Sequence, residues 1–187
     1  MAIVFLDTEF TDLRSPQLLS IGLVSLDDWQ EEFYVELNLK SALGKQRLNA
    51  SSNFVRDIVL PQWGRVHGAI RSNIEMGRSA GEWLLRLAKQ GGVKVGVVFD
   101  FSADFVLLEA VIRDAGIWDQ VKDVLLPMYI DPLTSKIDGE FALENFFRAV
   151  FASRGLAPHH ALADAMALRE AYKAMAAHAT IQGDQKA

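Results

Sequence analysis

The chain of 187 residues contains no cysteine, and this absence excludes two classes of site. A protein without thiols has no disulfide framework and no thiolate ligands for a structural zinc ion. A bound metal must therefore be held by oxygen or imidazole, a ligand set that favours Mg²⁺ or Mn²⁺. The sequence also lacks an apolar run long enough for a membrane span, and its start, MAIVFLDTEF, lacks the basic segment of a signal peptide. We therefore expect a cytoplasmic protein that does not contact membranes.

Positive charge is scarce and unevenly distributed. The formal net charge is −5, which argues against a uniformly basic nucleic-acid-binding surface. Residues 1–39 contain eight acidic residues and one basic residue, whereas residues 40–78 contain seven basic and two acidic residues. A basic segment beside an acidic one suits a protein that binds phosphates and also concentrates cations. An unevenly charged, solvated surface is the alternative interpretation.

The first part of the chain has the pattern of an antiparallel sheet. Three strand-like runs separated by short polar turns are Ala2–Leu6, Leu18–Leu26 and Glu32–Leu37. Residues 40–78 have weaker periodicity, and they predict a long connection with one short helix near Asn53–Leu60.

The second part alternates between helix and strand. The tetrapeptide SAGE is a capping box with Ser79 as N-cap, which predicts a helix to Gln90. The elements predicted after it are a buried strand VKVGVVF, a helix over 102–115, a strand MYID, and helices over 141–153 and 161–177. This order predicts an α/β protein with a mixed five-stranded sheet, three antiparallel strands and then parallel ones, and helices on both faces, as in ribonuclease H-like folds. We expect a single domain over residues 1–178 and a flexible C-terminal tail over 179–187.

Two carboxylates stand at the end of the first strand, in IVFLDTEF. Residues i and i+2 of a strand share a face, so Asp7 and Glu9 project together while Thr8 points the other way. Two neighbouring carboxylates repel each other unless a cation or a shared proton compensates. The pair is compatible with a metal site, although an ordinary surface strand can carry the same pattern.

A second group of functional side chains lies in PHHALADA, residues 158–165. His160 and Asp164 are four residues apart, so they share one helix face, and a surface pair of the two is the simple interpretation. His159 can serve a site near Asp164 only from the loop or first turn before the helix, and Pro158 supports a helix start there. From that position His159 can act as a mobile general base while Asp164 stays in place as a ligand.

Taken in order, Asp7-Thr8-Glu9, a central aspartate and His159 with Asp164 resemble the DEDDh 3′–5′ exonuclease superfamily. Within it, the stretches DTEF, QLLSIGLVSL and NFVRDIVLPQW look like the Rv2179c-like 3′–5′ exoribonucleases of bacteria and phages. In the family, a leucine usually follows the central aspartate by four residues. In VVFDFSADFVLLEA this spacing favours Asp104, and Asp100 is the alternative or a supporting residue.

The resemblance implies a two-metal nuclease. Its metal ligands would be Asp7, Glu9, Asp104 and Asp164, holding two Mg²⁺ or Mn²⁺ ions, with His159 as the general base. Single-stranded RNA would be shortened from its 3′ end to nucleoside 5′-monophosphates, and a homodimer is an expectation from the same resemblance. The candidate substrate-binding residues are Thr8, Phe10, Arg56 and Trp63, with core packing as the alternative for the two aromatic side chains.

Three other functions compete with this interpretation. The same mechanism would serve a 3′–5′ exonuclease acting on single-stranded DNA, because no residue in the sequence identifies a contact to the 2′-OH. A non-catalytic nucleic-acid-binding module on the same fold would be expected to lack one of the ligands. A phosphatase with an aspartyl nucleophile would require D-x-D, and Glu9 argues against it.

Overall fold

A computed structural model describes residues 1–26, 31–91, 94–130, 149–150 and 152–184. The strands in this part of the chain are β1 (Ala2–Phe10), β2 (Leu18–Ser25), β3 (Glu32–Leu37), β4 (Ile70–Arg71), β5 (Val95–Phe99) and β6 (Leu125–Tyr129). The helices are α1 (Ala42–Ala50), α2 (Asn73–Gly91), α3 (Ser102–Asp114), α4 (Trp118–Val121) and α5 (Ala161–Asp184).

The strands form one mixed sheet in the order β4-β3-β2-β1-β5-β6. Strand β1 lies at its centre, antiparallel to β2 and parallel to β5. The predicted α/β fold with antiparallel and then parallel strands is confirmed, but the sheet has six strands instead of five. The additional strand, β4, has only two residues and pairs in parallel with β3. A strand this short has no periodicity that a sequence pattern can reveal.

Helices cover both faces of the sheet, as predicted. Val4 and Leu6 of β1 are fully buried in the larger hydrophobic core, which also contains Leu84 of α2 and Leu108 of α3. The alternate residue Phe5 faces the other way, where its ring lies 5.3 Å from that of Tyr172 in α5. The alternation along β1 therefore directs successive side chains toward different helices.

The first turn of α5 lies directly against the sheet because β2 has a glycine there. A Cβ atom added to Gly22 would lie 2.2 Å from the carbonyl oxygen of Ala161, so only glycine allows this approach. Gly22 is the cross-strand partner of Asp7 in the β1–β2 register. The close contact thus brings the start of α5 next to the carboxylates of β1.

Helix α2 begins seven residues earlier than the SAGE capping box predicts, with Ser72 instead of Ser79 as its N-cap. The backbone N–H of Ser72 donates to Glu75 Oε2 at 2.9 Å, and the N–H of Glu75 donates to Ser72 Oγ at 3.3 Å. The functioning capping box is therefore SNIE, while Ser79 lies inside the helix and donates to the Glu75 carbonyl. Both tetrapeptides satisfy the same pattern, and in the folded chain the one that directly follows β4 is used.

The connection between β3 and α2 contains more structure than predicted. Helix α1 was missed because its apolar residues have almost no helical periodicity. The helix predicted near Asn53–Leu60 is present in altered form, as a π-helical turn over Val55–Val59 and a 3₁₀ turn over Leu60–Gln62.

The later elements differ mainly at their ends. Strand β6 begins at Leu125, before the predicted MYID, and the short helix α4 was not predicted. Most of the helix predicted over 141–153 lies outside the described residues. Helix α5 continues to Asp184, so its predicted end at residue 177 was too early and residues 179–184 are helical. No helix of the described chain has the length and apolar character that a membrane span requires.

Candidate metal and active site

Carboxylates from three elements meet near the end of β1. Asp7 and Glu9 project from β1, Asp104 lies in the first turn of α3, and Asp164 in the first turn of α5. Thr8 points to the opposite side from its neighbours and donates a 2.6 Å hydrogen bond to Asp104 Oδ1. Because side chains alternate along β1, Asp7 and Glu9 lie on one side of the strand, and Thr8 on the other side holds the carboxylate of Asp104.

The carboxylates form two groups that share Asp7. Oxygen atoms of Asp7, Glu9 and Asp164 lie within 4.8 Å of one another. Oxygen atoms of Asp7, Asp100 and Asp104 form a second set with the same spacing. Both candidates for the central aspartate, Asp100 and Asp104, therefore reach the site. The spacing to Leu108 favoured Asp104 only because the family pattern has a leucine at that position. Asp104, which is 1% exposed, is the more deeply buried of the two.

The pKa values of these carboxyl groups are raised together. Burial raises the pKa of Asp7 well above its ordinary range, and the charges of Asp164 and Asp104 add to the effect. Burial and the same two neighbours raise the pKa of Glu9 to about 8. Burial likewise raises the pKa of Asp104 and of Asp164 to about 7, although hydrogen bonds to each carboxylate oppose the shift. Without a cation, the site therefore retains protons near neutral pH.

The residues present fit a divalent cation. The Oδ2 atoms of Asp7 and Asp104 are buried and have no hydrogen-bond partner. An unpartnered buried carboxylate oxygen is costly, and a cation ligated by it would remove that cost. Carboxylate oxygens are the hard ligands that Mg²⁺ and Mn²⁺ prefer.

These raised pKa values predict an unusual dependence of stability on pH. The carboxyls of Glu9, Asp104 and Asp164 hold protons to pH 7–8 in the folded protein but only to about pH 4 in the unfolded chain. Their contribution to the free energy of unfolding is therefore complete below about pH 4 and is lost as the pH rises through 7 to 8. We expect a lower Tm at pH 8 than at pH 5.5 in EDTA, and recovery at pH 8 with Mg²⁺ or Mn²⁺. A Tm that rises with pH in EDTA would contradict these shifts.

His159 lies beside this cluster in the loop before α5, as predicted. Its φ angle is 63°, in the left-handed region that few residues other than glycine adopt. Its backbone N–H donates to Asp164 Oδ2 at 2.9 Å, and its ring meets that of Phe54 edge-on at 4.9 Å. Burial lowers the pKa of His159, which favours the neutral imidazole that a general base requires.

Gln62 holds the loop that carries His159. Its Nε2 donates to the carbonyl oxygens of Pro158 at 2.8 Å and of His159 at 3.2 Å, while its Oε1 accepts from the N–H of Ala157 at 2.9 Å. Gln62 is itself buried, so these hydrogen bonds are protected from water. No sequence pattern indicated this role, because Gln62 lies in the short 3₁₀ turn after the π-helical turn, at a position without periodicity.

The simple interpretation of His160, a surface pair with Asp164, is wrong. His160 is 3% exposed, its ring stacks on Tyr34 with centroids 4.5 Å apart, and neither ring nitrogen has a hydrogen-bond partner. Burial lowers its pKa to about 4, so it is neutral at physiological pH. The helical hydrogen bond from the Asp164 N–H to the His160 carbonyl is the only link that the structure records between the two residues in the described chain.

A cavity of about 660 Å³ opens over the carboxylates. The sequence-predicted residues that line it are Asp7, Thr8, Glu9, Phe10, Asp104, His159 and Asp164. The rings of Phe10 and Phe101, which also lines the cavity, stack 5.8 Å apart at 16°. Arg14 is a lining residue that the sequence interpretation missed, although its position in the polar turn just after DTEF places it close to the carboxylates. The floor of the cavity is therefore made of carboxylates, and its walls contain aromatic side chains and Arg14.

Arg56 and Trp63 do not line this cavity, so their predicted contact with substrate remains untested. The guanidinium of Arg56 donates to the backbone carbonyls of Leu48, Asn49 and Ser51. Trp63 Nε1 donates to the Leu37 carbonyl at 3.2 Å. Other arginines of the basic segment that donate to backbone carbonyls are Arg47, Arg65 and Arg71. Arg56 and Arg71 thus stabilise the segment itself, whereas Arg47 and Arg65 attach it to the carbonyls of Leu18 and Gly155.

Comparison with known proteins gives a match in structure but not in sequence. No protein-family model matches the chain, and neither does any curated protein. A 3′-exonuclease described as recognising the 3′ end of a histone mRNA stem-loop has a TM-score of 0.54 at 15% identity, covering 93% of this chain, which in turn spans 63% of that one. A full-length 3′-exonuclease has a TM-score of 0.51 at 14% identity, covering 95% of this chain and 82% of that one.

A third similar structure contains a nuclease domain only, and this chain spans nearly all of it. It is the nuclease domain of 3′hExo, described as a DEDDh family member bound to rAMP, with a TM-score of 0.52 at 15% identity, covering 95% of this chain and 92% of that one. At this level of identity the likeness bears on the fold. The chain has the ribonuclease H-like mixed α/β fold of these 3′-exonucleases.

Proposed function

We propose that this protein is a divalent-metal-dependent 3′–5′ exonuclease of the DEDDh type that degrades single-stranded RNA to nucleoside 5′-monophosphates. The observation that carries the proposal is the convergence of four carboxylates and His159 on one cavity. The similar structures support it, because their descriptions name 3′-exonucleases and the DEDDh family.

In this proposal, Asp7, Glu9, Asp104 and Asp164 hold two Mg²⁺ or Mn²⁺ ions. When bound, such ions lower the pKa of the attacking water and stabilise charge on the phosphate and on the leaving 3′ oxygen. His159 accepts the proton of the attacking water on its neutral imidazole. The raised carboxyl pKa values favour cation binding at neutral or higher pH, because each ligand must lose its proton first.

The walls of the cavity suit unpaired bases. Phe54, which is 51% exposed, and Phe101, which is 43% exposed, both line the cavity. Aromatic rings bind bases of any sequence by stacking, and each stacked base contributes about 1–3 kcal/mol. A base in a duplex is already stacked and paired, so we expect a single-stranded 3′ end as the substrate.

RNA is the preferred substrate in the proposal, and single-stranded DNA is the alternative. The resemblance to Rv2179c-like exoribonucleases and the rAMP and histone mRNA in the descriptions of similar structures support RNA. A cytoplasmic location and a homodimer are further expectations from the sequence.

One assay separates these possibilities. RNA and DNA oligomers labelled at the 5′ end are incubated with Mg²⁺, Mn²⁺ or EDTA, alongside the Asp7→Ala variant. Metal-dependent shortening of RNA from the 3′ end, absent in Asp7→Ala, is the expected result. Faster shortening of DNA would favour the exodeoxyribonuclease. Binding of the oligomers without shortening would favour the non-catalytic module.

Arg14 is expected to bind a phosphate of the substrate. Its guanidinium lines the cavity and has no hydrogen-bond partner among the described residues, unlike the arginines of the basic segment that donate to carbonyls. A hydrogen bond to a charged group contributes about 1.5–3 kcal/mol, so Arg14→Ala should raise KM about 10- to 100-fold with little change in kcat.

Arg78→Ala provides the matched control for Arg14→Ala. Arg78 is exposed on α2, has no recorded partner among the described residues, and does not line the cavity. Arg78→Ala removes the same positive charge as Arg14→Ala. An equal rise in KM for both variants would mean that Arg14 acts only through the overall electrostatic field of the protein.

A further inference from the structure

Asp100 adds a fifth carboxylate to the candidate metal site. Its carboxylate oxygen lies within 4.8 Å of those of Asp7 and Asp104, so these three residues form a group distinct from Asp7, Glu9 and Asp164. The four-carboxylate set of the proposed function leaves Asp100 without a role. Asp7 is shared by the two groups and each adds two further carboxylates, so each group offers three carboxylates to one cation.

We propose that the second cation binds the free protein, before nucleic acid arrives, on Asp7, Asp100 and Asp104. The inference rests on the proposed two-metal function and concerns the order in which metal and substrate bind. Mg²⁺ is usually held by one or two carboxylates and completes its shell with substrate phosphates. Three carboxylates from the protein reduce that dependence on substrate.

The buried oxygen of Asp104 is the first independent support. Asp104 is 1% exposed, its Oδ1 accepts the hydrogen bond from Thr8, and its Oδ2 has no partner. The Oδ2 atom of Asp7 is also buried without a partner. Two unpartnered oxygens in one group are a costly arrangement for the protein alone, and a cation between them satisfies both.

Asp100 has no competing structural role in the described chain. Helix α3 begins at Ser102, and its N-cap is Phe101, with no side-chain cap hydrogen bond. Asp100 forms no ion pair with a described lysine or arginine. A carboxylate that neither caps the helix nor neutralises a basic side chain is available as a metal ligand.

The charge of the site also calls for two cations. The five carboxylates of the two groups carry five negative charges when all are ionised, as metal ligands must be. Among the residues lining the cavity, Arg14 is the only lysine or arginine, and its charge is matched by that of Asp12. One divalent cation would leave most of that charge uncompensated in a buried site, where charges interact strongly. Two divalent cations balance four of the five charges.

Counting Mn²⁺ ions bound in the absence of nucleic acid tests the inference. Equilibrium dialysis gives the number of ions, and electron paramagnetic resonance shows whether two ions lie close together, since two-metal sites place them about 3.5–4 Å apart. We expect two ions with a coupled spectrum in the unmodified protein. Asp100→Asn should bind one ion with an uncoupled spectrum, its affinity for a second falling at least about tenfold.

Three further variants make the result specific. Asp104→Asn should lose the same ion as Asp100→Asn, so the test does not depend on the folding of one variant. Glu9→Gln should lose the other ion and retain one on Asp7, Asp100 and Asp104. Asp57→Asn, at an exposed position outside the cavity, should bind two ions and controls for the loss of one negative charge.

Each outcome bears on the inference separately from the proposed function. One ion in the unmodified protein without nucleic acid, or two coupled ions in Asp100→Asn, would overturn the inference even if the protein shortens RNA. Two coupled ions that depend on Asp100 would support it even if no nuclease activity is found, in which case the proposed function fails instead.

Discussion

Asp7→Asn is expected to abolish nuclease activity and, at the same time, to stabilise the metal-free protein. Asp7 belongs to both carboxylate groups, so its loss weakens the binding of both cations. Two-metal catalysis contributes several kcal/mol to stabilising the transition state, so we expect at least about a thousandfold loss of rate. The neutral amide also removes the carboxyl whose pKa is raised by burial and by four acidic neighbours. The Tm in EDTA at pH 8 should therefore rise.

The two effects of Asp7→Asn are measured by single-turnover degradation of RNA with Mn²⁺ and by thermal unfolding in EDTA. Asp57→Asn makes the same charge change at an exposed position and should alter neither quantity. A variant that loses activity together with stability in EDTA would indicate a misfolded site. A variant that keeps more than a tenth of the activity would remove Asp7 from the reaction.

His159→Asn is expected to lower kcat by about 10²- to 10⁴-fold, the usual contribution of a general base. Asparagine tolerates the left-handed backbone found at His159, where φ is 63°, so the N–H that donates to Asp164 should keep its place. The carboxylate groups are untouched, so the number of bound Mn²⁺ ions should not change. At saturating Mn²⁺, where the carboxylate ligands are already ionised, the pH profile of kcat/KM should lose the acidic limb that reports the pKa of the free base.

His160→Phe is the matched control for His159→Asn. Phenylalanine can stack on Tyr34 as His160 does, and it removes two buried nitrogens that have no hydrogen-bond partner. We expect unchanged kcat and a Tm that is equal or higher. Loss of activity in His160→Phe, with activity retained in His159→Asn, would mean that His160 and not His159 is the base.

Much of the candidate site follows from local patterns. The alternation of a strand is set by backbone geometry, so IVFLDTEF alone predicts that Asp7 and Glu9 share a face and that Thr8 does not. The hydrogen bond from Thr8 to Asp104 agrees with this expectation. The five-residue spacing from His159 to Asp164 does not fit one helix face, so a shared site requires His159 in the loop or first turn. His159 lies in the loop before the helix. Predictions of this kind succeed because they depend on residues close together in sequence.

Other features depend on contacts between distant segments. The capping boxes SNIE and SAGE are equivalent as patterns, and the folded chain uses the first, which directly follows β4. The basic residues of 40–78 suggested a phosphate-binding surface, but several of them donate to backbone carbonyls, Arg56 and Arg71 within the connection and Arg47 to Leu18 of β2. Charge can be counted in a sequence, whereas the partner of each charge is determined by folding.

The sequence by itself determined the absence of thiolate sites, the mixed order of strands and helices, and the residues that supply carboxylates and an imidazole. Only the tertiary structure decided that Asp100 joins Asp7 and Asp104, that Gln62 holds the loop of His159, and that His160 is buried. The physical reason is the range of the interactions. Side-chain direction along a strand or helix is a local property, whereas metal-ligand groups and buried hydrogen bonds require residues about a hundred positions apart to meet within a few ångströms.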